Sequence, residues 1–555
     1  MHVLQMDPRG IAAMRILICL ISIGEIIFVW GPEMFQGGIL SEEVLPRYEL
    51  LSIQPGTFSL YLAAGTSTTK LLIAAVHVVL LIKLMVGHGD NAFTALLVWM
   101  FSISLHQRNM AATFGHQNQL DRCLLSLVLL PSNAAWSWSL DHHSQTNTRG
   151  AQSQSQSHHW GGRLFAFVVF FSMWTMHGWE KLIEYEYWWR RGDALLLSLH
   201  SDVAYPCAKT LAEMMVVYLP QSMNVCICRF ILLIECPIGP AMLLAPFSFV
   251  RTIGLILISM SLLSFGIFLS VDMLPWSCMS TALPLFPTAC WDWVEEWGGA
   301  RNWVVLVWSG TREKKDPSDN QSDERKKTND TKKEAVQNIL GVAGSCLMLF
   351  CAVRMSMDTH GNQHVPIIYS SVDPVLLSYG IQLRLGGGWK AFTPPPMSNS
   401  WYVAVGVTRK PTRWIRSERG VAVRFYDALG DWVDEGKPFD DVSWTPPSAH
   451  LTDLRVSFVA SHAYDLWTRT TMYDTRYVTA RAKTIVDLCN GFHARHSALD
   501  ERLDRIEVWE LNRPFWNDVY QAYNNNGTEN GRVLFLSSMK AEPTRDSPLL
   551  AGDCR

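Results

Sequence analysis

Long apolar runs dominate the chain before about residue 355, and polar residues are concentrated after it. A helix needs about 20 mostly apolar residues to cross a bilayer, and its backbone groups must be paired inside the helix. The pattern therefore predicts a mostly α, polytopic membrane domain with eight or nine transmembrane helices. The predicted spans are 10–30, 70–87, 91–107, 119–137, 163–182, 222–245, 250–273 and 336–355, with 274–290 as a proline-broken or re-entrant ninth.

The region after the last predicted span has a different pattern. The stretches "WYVAVGVT" and "GVAVRFYDAL" alternate between apolar and polar residues as strands do, and "YVTARAKTIVDLCNGFHARH" has helical spacing. These patterns predict a small α+β soluble domain. The predicted organisation is a membrane domain at 1–308, a charged disordered loop at 309–335, a last transmembrane helix at 336–355 and the soluble domain at 356–555.

The charged loop also predicts the orientation of the chain. Loops rich in Lys and Arg tend to stay in the cytoplasm, and acidic residues do little to cancel this effect. One helix separates the loop from the soluble domain, so we expect that domain in the lumen or outside the cell. The sequon at Asn526 would be accessible to glycosylation there. The endoplasmic reticulum and the plasma membrane fit the sequence equally well.

Composition and the placement of cysteines and histidines add three exclusions. Only 17% of the residues are charged and the net charge is −3, so nothing favours a nucleic-acid partner. Ten of the 12 cysteines lie in the apolar part, where free thiols behave as small hydrophobes, and we expect no disulfide framework. The histidines that flank the Gln/Ser-rich loop at 142–160 are not expected to bind a metal, and no metal site is predicted elsewhere.

Lys181 is the most informative polar residue, because it lies in "HGWEKLIEYEYWW" at the end of a long apolar run. On a helix it shares a face with His177 and Glu184. One interpretation is a lysine that extends its ammonium group to the headgroups from a helix end. The other is an amine in a dry pocket, which can serve as a general base. The spacing alone favours neither.

Other ionisable residues fall within or between the predicted spans. Arg108 and Asp121 either anchor a loop at the membrane surface or pair across the polar floor of an intramembrane cavity, since buried charges need partners. Glu235 is isolated in an apolar run, and the prolines and glycine that follow it predict a broken helix. Such a break marks either a structural kink or a binding site, with Arg251 as a candidate partner for Glu235.

Several blocks, in order, resemble the HTTM family, the membrane proteins related to the vitamin K-dependent gamma-carboxylase. The resemblance covers most of residues 5–300 and, more loosely, 379–515. The blocks are "DPRGIAAMRILIC", "SISLHQRN", the "LDRCLLSLVLLP…WSLD" run, "HGWEKL…WWRRGDAL", "ECPIGPAMLLAP…R", "GIFLSVDMLPWSCMSTALPLFP" and "GGGWKAFTPPPMSNSWY".

The resemblance implies an activity and roles for two residues. In the carboxylase a lysine in the block matching "GWEKL" is the base that deprotonates reduced vitamin K, and it aligns with Lys181. A histidine of the carboxylase that stabilises the developing carbanion lies in the block matching "FGHQNQL", and His116 is its nearest counterpart in this chain. The cofactor would be reduced vitamin K or a related quinol, and the partners membrane lipid and a protein or peptide whose glutamate is carboxylated. Arg108, Asp121 and Glu235 are the candidate substrate-binding residues.

The chain also departs from the family pattern. Ser264 aligns where many members have a histidine, and Glu180 precedes Lys181 where the animal enzyme has adjacent lysines. The soluble part is smaller than that of the animal enzyme. These departures favour an alternative from another class, a non-catalytic membrane protein that binds lipid or assists another protein, with Lys181 and Glu184 as a structural pair. A transporter is a third class, but no inverted repeat with paired broken helices is evident.

Overall fold

The computed structural model describes most of the apolar part of the chain and several elements after it. These residues are 6–35, 40, 45–53, 59–88, 91–109, 115–131, 135–136, 160–183, 186–200, 206–269, 273–297, 335–351, 383, 398–407, 421–425, 432–438, 476–495, 505–514 and 548–553. The predicted loop at 309–335 lies almost wholly outside them.

The described part of the chain is mostly helical, as the apolar pattern predicts. The helices before residue 200 are α1 (Pro8–Gly24), α2 (Gly31–Glu33), α3 (Arg47–Ile53), α4 (Leu60–Ala63), α5 (Ser67–Val86), α6 (Asn91–Arg108), α7 (Gly115–Leu129), α8 (Trp160–Ile183) and α9 (Ala194–His200). The later helices are α10 (Pro206–Tyr218), α11 (Gln221–Leu233), α12 (Gly239–Leu243), α13 (Ser248–Phe268), α14 (Leu274–Ala282), α15 (Thr288–Trp297), α16 (Ala335–Cys351) and α17 (Val478–Arg495). Short π-helical segments at Glu25–Trp30, Glu186–Arg191 and Ile234–Ile238 and a 3-10 turn at Leu283–Leu285 connect some of them.

Three of the described helical runs are long and apolar enough to cross a membrane by length and composition. They are Pro8–Glu33, Ser67–Val86 and Ser248–Phe268. Helices also begin in or before the other predicted spans, but α7 ends at Leu129 and does not reach the predicted end at 137, and α16 and the first part of α8 are apolar but shorter than a span. The count of eight or nine spans therefore stays a prediction.

The ends of α5 illustrate how the local sequence sets these helices. Thr66 precedes the helix, and its side-chain oxygen accepts a hydrogen bond from the Thr69 amide at 3.2 Å. At the other end Gly87 has φ +72° and caps the last turn in the left-handed conformation, which glycine adopts without steric cost. Between these caps the helix exposes large apolar side chains such as Leu72 and Val79 and buries Leu81 and Leu84.

Glycines let two helices approach the middle of the bundle closely. A Cβ on Gly10 of α1 would lie 2.4 Å from the Leu283 carbonyl oxygen, so α1 packs directly on the 3-10 turn. A Cβ on Gly341 of α16 would lie 2.4 Å from the Gly161 carbonyl carbon at the start of α8. Small residues at such crossings are typical of helix packing in membranes. The contact brings α16 back to the bundle after the charged loop.

Beyond the helices, the backbone forms a five-stranded antiparallel sheet. The strands are β1 (Ser398–Val407), β2 (Val421–Phe425), β3 (Trp432–Pro438), β4 (Arg505–Pro514) and β5 (Pro548–Asp553), in the spatial order β3-β2-β1-β4-β5. The strands β1 and β2 and the helix α17 form where the alternating and helical patterns predict them. A separate α+β soluble domain stays a prediction.

One cysteine in this region differs from expectation. Cys489 on α17 is disulfide-bonded, whereas ten cysteines of the apolar part are free. Sequence reasoning expected no disulfide framework, because it weighed the cysteines by their apolar surroundings. That argument holds for the ten free thiols and does not extend to a cysteine on an amphipathic helix outside the apolar part of the chain.

The helix α17 is held against the apolar helical bundle by a carboxylate from outside the helix. Both oxygens of Glu49 accept a hydrogen bond from the Thr479 amide, at 3.2 and 3.0 Å, and Glu49 is buried. The first turn of a helix has amides without partners inside the helix, so an acceptor there stabilises the helix start. Tyr477, just before the helix, is buried in the main apolar core.

Replacing Glu49 with glutamine is expected to destabilise the docked start of α17 by about 0.5–2 kcal/mol, because the charged acceptor at the helix start becomes neutral. Hydrogen exchange of the Thr479 amide should become faster while amides of α5 keep their rates. Unchanged exchange at Thr479 would show that the Glu49 contact does not hold the helix.

Candidate functional site

Lys181 and Glu235 form an ion pair in the interior of the protein. The amine of Lys181, near the end of α8, contacts Glu235 Oε2 in the π-helical segment that follows α11. Both side chains have an exposed fraction of 0%. The lysine therefore does not extend to the surface from its helix end. Its partner is Glu235, while Arg251 donates from Nε to the Leu243 carbonyl at 3.0 Å.

A break in the backbone positions Glu235. Cys236 has φ −158° and ψ 119°, an extended conformation inside the π-helical segment, where the prolines and glycine predict an interruption. Pro237 and Pro240 have no amide hydrogen to donate, so a regular helix cannot continue through them. The break directs the Glu235 carboxylate toward α8 and places Cys236 beside Gly178.

Close approach of the two segments depends on Gly178. A Cβ added there would lie 2.0 Å from the Cβ of Cys236, a separation that real side chains do not adopt. Gly178 precedes Lys181 by about one helical turn, so the glycine and the lysine face the same side of α8. The absence of a side chain at 178 therefore brings the lysine within reach of Glu235.

Aromatic rings and one hydroxyl complete the surroundings of the pair. The Lys181 Nζ atom lies 4.4 Å from the ring centre of Trp188 and 5.5 Å from that of Phe265, within the range of cation–π attraction. Ser261 on α13 donates to Glu235 Oε1 at 3.4 Å. The site is thus a buried amine and carboxylate in contact with each other and flanked by two aromatic rings. The side chains of His177 and Glu184, predicted on the Lys181 face, lie outside the described residues.

The other predicted site residues lie in a second cluster built from different helices. His116 at the start of α7 is hydrogen-bonded through Nε2 to Glu25 Oε1, at the beginning of the first π-helical segment. Asp121, one turn along α7, accepts from Ser102 Oγ at 2.6 Å and from His106 Nδ1 at 2.9 Å. His106 also lies near Glu25, with Nε2 at 3.9 Å from Oε2.

Arg108 is buried at the end of α6 and donates from one Nη atom to the Leu45 carbonyl at 2.8 Å. Asp121 accepts hydrogen bonds from His106 and Ser102, and its predicted pairing with Arg108 stays a prediction. The burial of both groups favours the interior cluster over a surface loop anchor.

Sequence reasoning missed part of each cluster. It did not select Trp188, Phe265 or Ser261 around the lysine, or Glu25 around His116, whereas His106 was named with His116 and Asp121 as part of a possible polar cavity floor. A glutamate in the first apolar run was a usable signal for Glu25, since acidic residues are costly inside a membrane helix. For the rings and the serine no signal was present, because apolar and small residues are common at such positions.

Metal binding has no support among the residues that the structure describes. No group of three or more His, Cys, Asp or Glu side chains there could hold a metal ion. The loop at 142–160, including its histidines, lies outside the described residues, apart from Trp160 at its end.

No family model, curated protein sequence or solved structure matches this chain. The resemblance to the HTTM family is therefore a hypothesis, and the function has to be argued from the geometry of the two clusters.

Proposed function

We propose that this chain is an integral membrane protein, similar to the gamma-carboxylase-like HTTM proteins, in which Lys181 and Glu235 accept a proton from a lipid-soluble hydroquinone. The observation that carries the proposal is the fully buried Lys181–Glu235 pair beneath two aromatic rings. Ionisable side chains inside a membrane protein are costly, and they are functional by default.

The placement in a membrane rests on the apolar helices. Three described helices are long enough to span, and they expose large apolar side chains, among them Phe28, Val79 and Met260. In water such surfaces would be unfavourable, whereas lipid tails cover them without cost. The proposal extends this to eight or nine spans, followed by a small α+β soluble domain at 356–555.

The surroundings of Lys181 fit a hydroquinone as the substrate. Its hydroxyl would be held by the Lys181 amine and the Glu235 carboxylate, and its ring would pack against Trp188 and Phe265. A proton leaving the hydroxyl would be taken up by Lys181 after the ammonium proton of the ion pair has passed to Glu235, so that the pair ends as an ammonium and a carboxylic acid. Exclusion of water by the rings strengthens the electrostatic interactions within the site.

The bound hydroquinone would supply the oxidation by oxygen that drives carboxylation of a glutamate side chain. The protein's own residues bind it, exclude water and accept its proton. His116, held by Glu25, is proposed to stabilise the negative charge that develops on the glutamate. Arg108 and Asp121 are proposed to contribute to substrate binding in the same region of the bundle.

The orientation of the chain is part of the proposal. The charged loop at 309–335 would face the cytoplasm, and the region after α16 the lumen or the exterior. The disulfide at Cys489 supports this placement, because disulfides persist in oxidising compartments. The endoplasmic reticulum and the plasma membrane both meet this condition.

One observation favours a second candidate, a non-catalytic membrane protein that binds lipid or assists another protein. Lys181 and Glu235 satisfy each other and both have an exposed fraction of 0%. A closed ion pair of this kind also serves to fix the packing of two helices. In that case the pair holds α8 against the broken segment and takes part in no reaction.

The test uses the purified full-length chain in liposomes with reduced vitamin K, oxygen, a glutamate-containing peptide and labelled bicarbonate. We expect label in the peptide and consumption of hydroquinone, both lost in Lys181→Met. A matched control is Lys70→Met, which removes another buried lysine, one that donates to the Leu40 carbonyl. Consumption of hydroquinone without label in the peptide would support the proton-accepting site and contradict the carboxylation of glutamate. If the wild-type chain neither consumes hydroquinone nor labels the peptide, the result supports the non-catalytic alternative.

A further inference from the structure

A set of buried ionisable side chains outside the Lys181–Glu235 site alternates between carboxylates and imidazoles. The four members are Glu25, His106, His116 and Asp121, and each has an exposed fraction of 3% or less. They come from three separate helical segments, the first π-helical segment, α6 and α7. Such a concentration of titratable groups is unexpected in an apolar core, where each ionised group needs a partner.

The contacts run from one member to the next. His116 Nε2 is hydrogen-bonded to Glu25 Oε1, and Glu25 Oε2 lies 3.9 Å from His106 Nε2. His106 uses its other ring nitrogen, Nδ1, toward Asp121 Oδ2 at 2.9 Å. The two ends of the chain, His116 and Asp121, both belong to α7, so the path leaves this helix and returns to it.

Ser102 holds the carboxylate of Asp121 in place at one end of the path. Its hydroxyl donates to Asp121 Oδ1 at 2.6 Å, which leaves Oδ2 for His106. At the centre, Glu25 faces one imidazole with each oxygen. Every internal member therefore has one atom for the preceding group and another for the following group, the arrangement that proton transfer along a chain requires.

Charge balance makes proton movement within the set inexpensive. Two carboxylates carry two negative charges when ionised, and two imidazoles accept up to two protons. A proton that moves from one member to another leaves the total charge of the buried set unchanged. No net charge then has to enter or leave the low-dielectric interior, which would be costly.

The backbone provides an observation independent of the side chains. Glu25 is the first residue of the π-helical segment that interrupts the first long helix. A π-helical turn rotates the residues that follow and is frequent at functional sites. Here it lies where the acidic side chain enters the bundle interior.

We propose that His116, Glu25, His106 and Asp121 form a proton relay through the core. His116, as the imidazolium, gives its Nε2 proton to the Glu25 carboxylate, and the Glu25 carboxylic acid then turns and gives the proton to His106 Nε2. His106 in turn gives its Nδ1 proton to Asp121 Oδ2. Each step breaks one N–H or O–H bond and forms another, and the net result is one proton moved from His116 to Asp121.

One step requires a small motion. The 3.9 Å between Glu25 and His106 is longer than a hydrogen bond, so the Glu25 side chain must approach His106 by about 1 Å. Among the residues that the structure describes, the ionisable groups around the path include His77 on α5, which interacts with His106 and Asp121, and Arg122 and Cys123 on α7 beside Asp121. The relay shares His116 and Asp121 with the proposed function but uses neither Lys181 nor Glu235, and its test reads histidine titration, which does not depend on hydroquinone consumption or carboxylation.

The relay is tested by histidine imidazole ¹⁵N resonances of the full-length chain, recorded as a function of pH. The signals of His106 and His116 are identified by their loss in His106→Asn and His116→Asn. In Asp121→Asn we expect the titration midpoints of both histidines to be displaced, by about 1 pH unit for the direct neighbour His106. The matched control is Asp193→Asn, which alters a buried carboxylate paired with Arg191.

A through-chain effect is distinguished from direct charge attraction by adding Glu25→Gln. If the path runs through Glu25, the change at Asp121 no longer displaces the His116 midpoint in this background. The relay is overturned if the His116 titration midpoint does not move in Asp121→Asn in the wild-type background. It is also overturned if that midpoint moves equally with and without Glu25. Should Asp121→Asn not fold, Ser102→Ala removes only the hydroxyl contact, and it must displace both midpoints in the same sense.

Discussion

Lys181→Met is expected to lower the free energy of unfolding by about 3–5 kcal/mol, because it leaves the Glu235 carboxylate buried without its partner. Both members of the pair have an exposed fraction of 0%, so water cannot replace the lost ammonium group. Glu235→Met should have a comparable effect, since it isolates the lysine among Trp188 and Phe265. The measurement is thermal unfolding of the purified chain in detergent.

The double variant Lys181→Met with Glu235→Met separates the charge from the packing. It removes both ions and keeps side chains of similar length, and replacement of a buried ion pair by apolar residues is often neutral or stabilising. We therefore expect it to unfold close to the wild-type temperature. Destabilisation of the double variant equal to the sum of the single effects would show that the two residues act independently and that the pair does not exist.

Gly178→Ala is expected to destabilise the protein by about 1–3 kcal/mol through overpacking. The new methyl group would lie 2.0 Å from the Cβ of Cys236, so α8 and the broken segment have to move apart. This movement also lengthens the contact between Lys181 and Glu235. The temperature of thermal unfolding and the rate of hydroquinone consumption should therefore both decrease.

Two further variants make the Gly178 result specific. Cys236→Gly in the Gly178→Ala background removes the opposing Cβ and should restore much of the stability. Gly24→Ala is the matched control, because Gly24 is helical and a Cβ there would meet nothing within 4 Å. Alanine is the better helix former by about 0.5–1 kcal/mol, so this control should be neutral or stabilising. Equal losses for both glycines would contradict the close approach at 178.

The helical part of the fold could be predicted from the sequence, since burial of apolar runs depends on local composition. Helices lie in the predicted spans, although α7 stops at Leu129, short of the predicted end at 137, and the interruption at Cys236 follows from Pro237 and Pro240. The strands β1 and β2 likewise follow their alternating pattern. Sequence reasoning placed no disulfide after the membrane region, because it judged the cysteines as a group.

The composition of the sites was only partly predictable. Lys181 and Glu235 are conspicuous as charged residues next to apolar runs, but 54 positions separate them. Their pairing depends on how α8 packs against the broken segment, and this in turn depends on a missing side chain at Gly178. The partner of His116 was missed because this contact also depends on how helices pack. Glu25 lies on another helix and approaches His116 only in the folded bundle.

Consumption of a lipid-soluble hydroquinone by the double variant Lys181→Met with Glu235→Met tests the central claim most directly. This variant is expected to fold like the wild-type chain, so its activity reports on the proton-accepting pair rather than on stability. Wild-type protein in liposomes should consume the hydroquinone, and the equally folded double variant should not. Equal consumption by both proteins would contradict the assignment of Lys181 and Glu235 as the proton acceptor.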